Sequence, residues 1–108
     1  MNGEPLRSKV VLQNVLGMHM RPARWFVELV SKFKSSVSVC KGDREPVDGR
    51  SILSLISLGA EQGTELILEV SGPDQQEAMN ALVELVANFI KEDEDEEWSP
   101  PSLTSGGS

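Results

Sequence analysis

"KVVLQNVLGMHMRPARWFVELVSKF", residues 9–33, changes its period half-way along, and that change decides the fold. Over Lys9 to Asn14, Val10 and Leu12 face one side while Lys9, Val11 and Gln13 face the other, which predicts a half-buried strand. From Pro22 onward, Ala23, Phe26, Val27, Val30 and Phe33 recur at helical spacing, and Glu28, Ser31, Lys32 and Lys34 fall on the wet side. Pro22 suits a first helical turn, because its missing N–H would have no partner inside the helix. His19, the only histidine, therefore stands just before a helix start.

The rest of the chain repeats this alternation of periods. "SVSVC" (Ser36 to Cys40) reads as a second strand, and "KGDREP" as a turn leading to a short strand around Val47. A short helix is expected from Ser51, its N-cap, to Gly59. "TELILEV" (Thr64 to Val70) sets Leu66, Leu68 and Val70 against Glu65, Ile67 and Glu69. A long helix then buries Ala78, Leu82, Leu85, Val86 and Phe89. The order β-α-β-β-α-β-α in so short a chain predicts an α+β domain, one four-stranded sheet with helices on a single face. Residues 1–7 read as a flexible arm, 8–91 as the domain and 92–108 as a disordered tail, acidic and then rich in Pro, Ser and Gly.

The net charge of -7 is mostly local. Glu92 to Glu97 holds six of the 17 acidic residues, and the other 11 meet 10 Lys and Arg, a balance near -1. A near-neutral domain with few aromatics among its basic residues argues against nucleic-acid binding. The N-terminal stretch lacks the apolar core of a signal peptide, and no run of residues is apolar enough to span a bilayer. A lone cysteine, Cys40, agrees with a reducing compartment, so a cytoplasmic monomer is expected, without membrane insertion. One histidine and one thiol do not make a metal site, and no cofactor is expected.

The chemistry gathers at "GMHMRPA", Gly17 to Ala23. Histidine can carry a phosphoryl group on a ring nitrogen, which divides one transfer into two. Catalysis of such transfers is mostly positioning and charge stabilisation. A helix N-terminus offers backbone N–H groups and the positive end of a dipole. Arg21 adds a guanidinium fork that matches phosphate oxygens, and Arg24, one turn on, adds positive potential. Gly17 permits a tight backbone path into the site. From these residues alone, a loop histidine without a special role stands beside the phosphoryl reading at about even weight.

The pattern G-[ML]-H-x-R-P-A before an amphipathic helix strongly resembles HPr, the histidine phosphocarrier family of the bacterial phosphotransferase system. The likeness continues through "SKF" and "GRSILSLISLGAEQGTELILEVSGPDQQEAMNAL", covering roughly residues 8–91. It implies an open-faced β-sandwich with three helices on one sheet face. It also implies a relay: enzyme I, charged from phosphoenolpyruvate, phosphorylates His19 on Nδ1, and the carrier passes the group to an enzyme IIA-type domain. Arg21 matches the family's active-site arginine, and Gly17, Pro22, Ala23 and Arg24 surround the phosphate.

The resemblance also implies a regulatory serine. Ser51 falls where many relatives are modified by a serine kinase, and an ordinary N-cap is its minimum role. A phosphate there would add about -1.5 to -2 charges to the surface that partners read. Ile52, Leu53 and Ile56 follow on a helix too short to bury every side, so at least one is expected to join Met20 in an exposed docking patch. Met20 is bulkier than the small residue frequent at its position, and Arg50 stands where lysine is frequent. Trp25 is expected on the exposed side of the first helix, adding contact area near the site or lying flat on the helix. "GMH" fits the nitrogen-related branch as well as the sugar branch. The other reading of the same fold is a regulatory module that binds a kinase, a transcription regulator or a metabolic enzyme.

Overall fold

The computed structural model describes residues 4–90. Its elements are β1 (Leu6–Val11), α1 (Met20–Val30), β2 (Ser36–Lys41), β3 (Val47–Asp48), α2 (Ile52–Ser57), β4 (Glu65–Ser71) and α3 (Gln75–Ala87). The strands form one antiparallel sheet in the order β1-β4-β2-β3, with β4 between β1 and β2. The three helices cover one face of it.

Alternation in the strands fixes which face is covered. Val10, Val37, Val39, Leu66, Leu68 and Val70 are buried under the helices, with Phe26, Leu29, Leu55, Leu82, Leu85 and Phe89 above them. The open face carries pairs across β1 and β4, Arg7 with Glu69 at 3.5 Å and Lys9 with Glu65 at 3.7 Å. Both pairs are exposed and contribute little beyond keeping that face wet.

Several expectations need correction. The sheet begins at Leu6, so Leu6 and Arg7 are paired strand residues rather than part of an arm. Phe33 is buried but lies beyond α1, in the turn where Lys32 and Phe33 donate back to Leu29 and Val30. Trp25 is not exposed: only 9% of it meets solvent, and its ring lies 6.4 Å from Phe89, tilted 44°. Helical spacing put it off the apolar stripe, but the residues that follow α3 reach across to cover it. The expected disordered tail lies outside the described residues.

Asp74, the N-cap of α3, ties α3 to the turn before β2. Its carboxylate accepts from the Lys34 and Ser35 amides at 2.9 and 3.0 Å and from the Ser35 hydroxyl at 2.6 Å. Opposite, Gly72 presses on Ser35 so closely that a Cβ would sit 2.6 Å from the Ser35 Cα. Burial pushes the Asp74 carboxyl up, but the Ser35 hydroxyl and the two amides outweigh it and hold the group below its ordinary range. The folded state therefore favours the ionised form, a stabilisation present above the ordinary carboxylate range and lost as pH falls through it. Asp74→Ala should cost about 1–2 kcal/mol near neutral pH, with the difference from wild type shrinking on acidification. Urea unfolding at several pH values checks this.

Candidate functional site

The loop between β1 and α1 is shaped by groups that periodicity does not register. Asn14 is fully buried and donates from Nδ2 to the Gly17 carbonyl at 2.8 Å, while the Gly17 amide donates to the Asn14 carbonyl at 3.2 Å. Gly17 takes φ 72, and a Cβ there would lie 2.3 Å from the Ala60 carbonyl oxygen. Met18, buried, donates its amide to that same carbonyl at 2.9 Å. The loop is thus latched to the segment that follows α2, and it delivers His19 to the end of α1.

Gly17→Ala violates both the left-handed backbone and the space at Ala60. It should destabilise the domain by about 1–3 kcal/mol, read from the urea midpoint.

His19 is the N-cap of α1, with extended backbone (φ -111, ψ -166) and no capping hydrogen bond from its side chain. Its carbonyl accepts from the Ala23 amide at 2.9 Å, which starts the helical ladder. The ring is half-buried, and Nε2 is closed off from solvent. Met20 and Arg21 precede the first ladder donor, and Pro22 has no N–H, so the two amides of Met20 and Arg21 have no partner within the helix. No acidic residue occupies that first turn to offset the dipole.

Arg21 is exposed beside this helix end, while Pro22 and Ala23 are buried and hold it against the core. Arg24 is exposed on the same helix. Its Nε lies 3.3 Å from the Glu28 carboxylate one turn on, which offsets its charge in part.

Ser51 caps α2, accepting from the Ser54 amide at 3.1 Å, and remains half-buried. Of the expected docking residues, Leu53 is 78% and Met20 59% exposed, whereas Ile52 and Ile56 lean partly onto the core. Val15 and Leu16, at 60% and 65%, add apolar surface on the His19 loop that the sequence reading did not single out. Packing of α1 on α2 brings the two helices together on one side of the domain.

Arg50, read only as a departure from lysine, is a tether. Its guanidinium donates to the Phe33 and Ser35 carbonyls at 3.4 and 3.0 Å, and its amide to the Asp48 carboxylate at 2.9 Å. Asn14 had an available signal, an Asn close before a Gly at the end of an alternating run. Arg50 had none, because its partners lie 15 and 17 residues away. Among the described residues, no group of three or more His, Cys, Asp or Glu is arranged to hold a metal ion.

The arrangement can receive an anion at an imidazole that caps a helix, with a guanidinium beside it. A family model described as "PTS HPr component phosphorylation site" matches residues 6–88. Over 89 residues the chain is 40% identical to the phosphocarrier protein HPr of Neisseria meningitidis, covering 82% of this chain and 99% of the relative. It is 34% identical over 85 residues to the phosphocarrier protein NPr of Proteus mirabilis, covering 79% and 94%. The crystal structure of HPr-C-His from Thermoanaerobacter tengcongensis matches with a TM-score of 0.74 at 35% identity, over 86% of this chain and 99% of that one.

Proposed function

The chain belongs to the HPr family of phosphocarriers of the bacterial phosphotransferase system, and on that premise we propose that His19 is its phosphoryl acceptor. The family's relay, from enzyme I to an enzyme IIA-type domain, is the function of this chain. The observation that supports His19 is its position as N-cap of α1, beside the amides of Met20 and Arg21. Nε2 is enclosed by the protein, and in the transfer the Nδ1 lone pair attacks phosphorus. The donor's bond to phosphorus breaks, and its electron pair returns to the donor. Transfer onward reverses these roles, with the acceptor attacking and Nδ1 leaving.

Arg21 meets the charge on the phosphoryl oxygens. Its exposure suits a group that engages a transient ligand rather than the domain's own structure. Met20 and Leu53 are the apolar contacts offered to enzyme I and to the IIA-type acceptor, with Ile52 and Ile56 supporting Leu53 from below. The setting is a cytoplasmic monomer; no helix among the described residues is long and apolar enough to cross a membrane. The test is incubation with phosphoenolpyruvate and the organism's own enzyme I. One acid-labile phosphate is expected by mass, and no gain would overturn the carrier reading.

Regulation at Ser51 is a second element of the proposal. A phosphate on its Oγ would lie at the start of α2, two residues before exposed Leu53, and would put negative charge on the docking surface. Ser51→Asp should slow phosphoryl transfer from enzyme I several-fold while the fold persists by circular dichroism. An unchanged rate would remove Ser51 from the regulatory reading.

A further inference from the structure

Lys41 ends β2, and its ammonium donates to the Leu58 and Gly59 carbonyls at 3.2 and 3.1 Å. These carbonyls lie at the C-terminal end of α2, where the last C=O groups of a helix have no partner within it. α2 has six residues, buries only Leu55 and carries no basic residue in its last turn, so the cation that meets its negative end comes from another element. Gly59 then turns the chain at φ 63 and leads into buried Ala60. The Ala60 carbonyl accepts from the Met18 amide at 2.9 Å and lies against Gly17. More bonds join the same two segments. The Leu12 amide donates to the Thr64 carbonyl at 3.0 Å, the Gly63 amide to the Leu12 carbonyl at 2.8 Å and Gln62 Nε2 to the Gln13 carbonyl at 3.1 Å. The segment from Leu58 to Thr64 is thus held by Lys41 at its start and bonded along its length to the chain that carries His19.

We infer that Lys41 is a positioning residue for phosphoryl transfer: by holding the Leu58 and Gly59 carbonyls it sets Ala60, and through the Met18 bond it sets where His19 stands. The inference rests on His19 as the phosphoryl acceptor. The Gly59 carbonyl belongs to the planar peptide unit that enters Ala60, and glycine supplies no side chain to fix that unit. An ammonium shared by two consecutive carbonyls fixes both peptide directions with charge-assisted bonds. Met18 lies one residue before His19, so a shift of the Ala60 carbonyl passes directly to the imidazole. Attack on phosphorus depends on that placement, and a displacement of about 1 Å costs on the order of 100-fold in rate. Lys41 acts on the reaction only through Ala60 and Met18, and its loss leaves the exposed contacts of Met20 and Leu53 in place.

The test compares the full chain with its Lys41→Met, Lys41→Arg and Val70→Ala variants, by transfer from phosphorylated enzyme I and by amide hydrogen exchange. In Lys41→Met, the transfer rate at saturating enzyme I should fall about tenfold, while the half-saturating concentration stays within about twofold. The Met18 amide should exchange about tenfold faster, and Leu68, in the central strand, should exchange as in the wild type and report an intact fold. Lys41→Arg, which keeps a charged donor, should recover the rate to within about threefold. Val70→Ala, a core truncation at the far end of β4, should leave the saturating rate unchanged. A wild-type rate in Lys41→Met overturns the inference, as does a slowed rate with unchanged Met18 exchange. An equal slowing in Val70→Ala also overturns it, because general destabilisation would then explain the loss. Absence of phosphate on the wild type would instead refute His19 as acceptor, and unchanged Met18 exchange in Lys41→Met would still refute the hold of Lys41 on the loop.

Discussion

In His19→Ala, phosphoenolpyruvate and enzyme I should leave no acid-labile phosphate on the chain, while its unfolding curve stays close to that of the wild type. The first half follows from chemistry. His19 is the only imidazole in the chain, and without it no other side chain at the start of α1 forms a phosphoramidate. The second half follows from the cap. The His19 side chain makes no capping bond, so its removal costs less than the roughly 1 kcal/mol typical of a Ser or Asp cap. Mass spectrometry before and after mild acid, with urea unfolding of the same samples, reads both quantities. Phosphate retained in His19→Ala would place the acceptor elsewhere.

Arg21→Ala should lower the rate of phosphoryl transfer by on the order of 100-fold, the scale for removing one charge-stabilising donor from a transfer site. Stability should change by no more than about 0.5 kcal/mol, because the side chain is exposed and makes no packing contribution to the core. Arg21→Lys should recover only part of the rate, since an ammonium keeps the charge but not the two-pronged geometry. Rapid-quench transfer from phosphorylated enzyme I measures the rates. A melting temperature lowered as far as a core truncation would lower it would instead make Arg21 structural. The contrast with Gly17→Ala is instructive. That substitution should damage stability first, because Gly17 presses against the Ala60 backbone, and transfer only through the misplaced loop.

Much of this site was legible before any coordinates. The change of period between Leu12 and Ala23 places His19 at a helix start, and a helix start is where an anion is held. Leu53 was one of three candidates for exposure on α2, and burial of Leu55 with partial burial of Ile52 and Ile56 singles it out. Arg24 pairs with Glu28 one turn later, an exposed contact that only the arrangement along α1 shows as formed.

The sequence by itself determined the elements, their inward faces and the position of the one histidine among them, because strand and helix periods are local properties that neighbours in the chain express together. Only the tertiary structure decided the rest. Trp25 is buried because Phe89, 64 residues later, closes over it. Asp74 holds the Lys34–Ser35 turn, and Arg50 ties the end of α1 to the start of β2. Gly17 is required because Ala60 lies against it. Among the described residues β1 is an edge strand, because β4, the last strand among them, inserts between it and β2. Each of these depends on which distant surfaces meet once the sheet is assembled, and no local period carries that information.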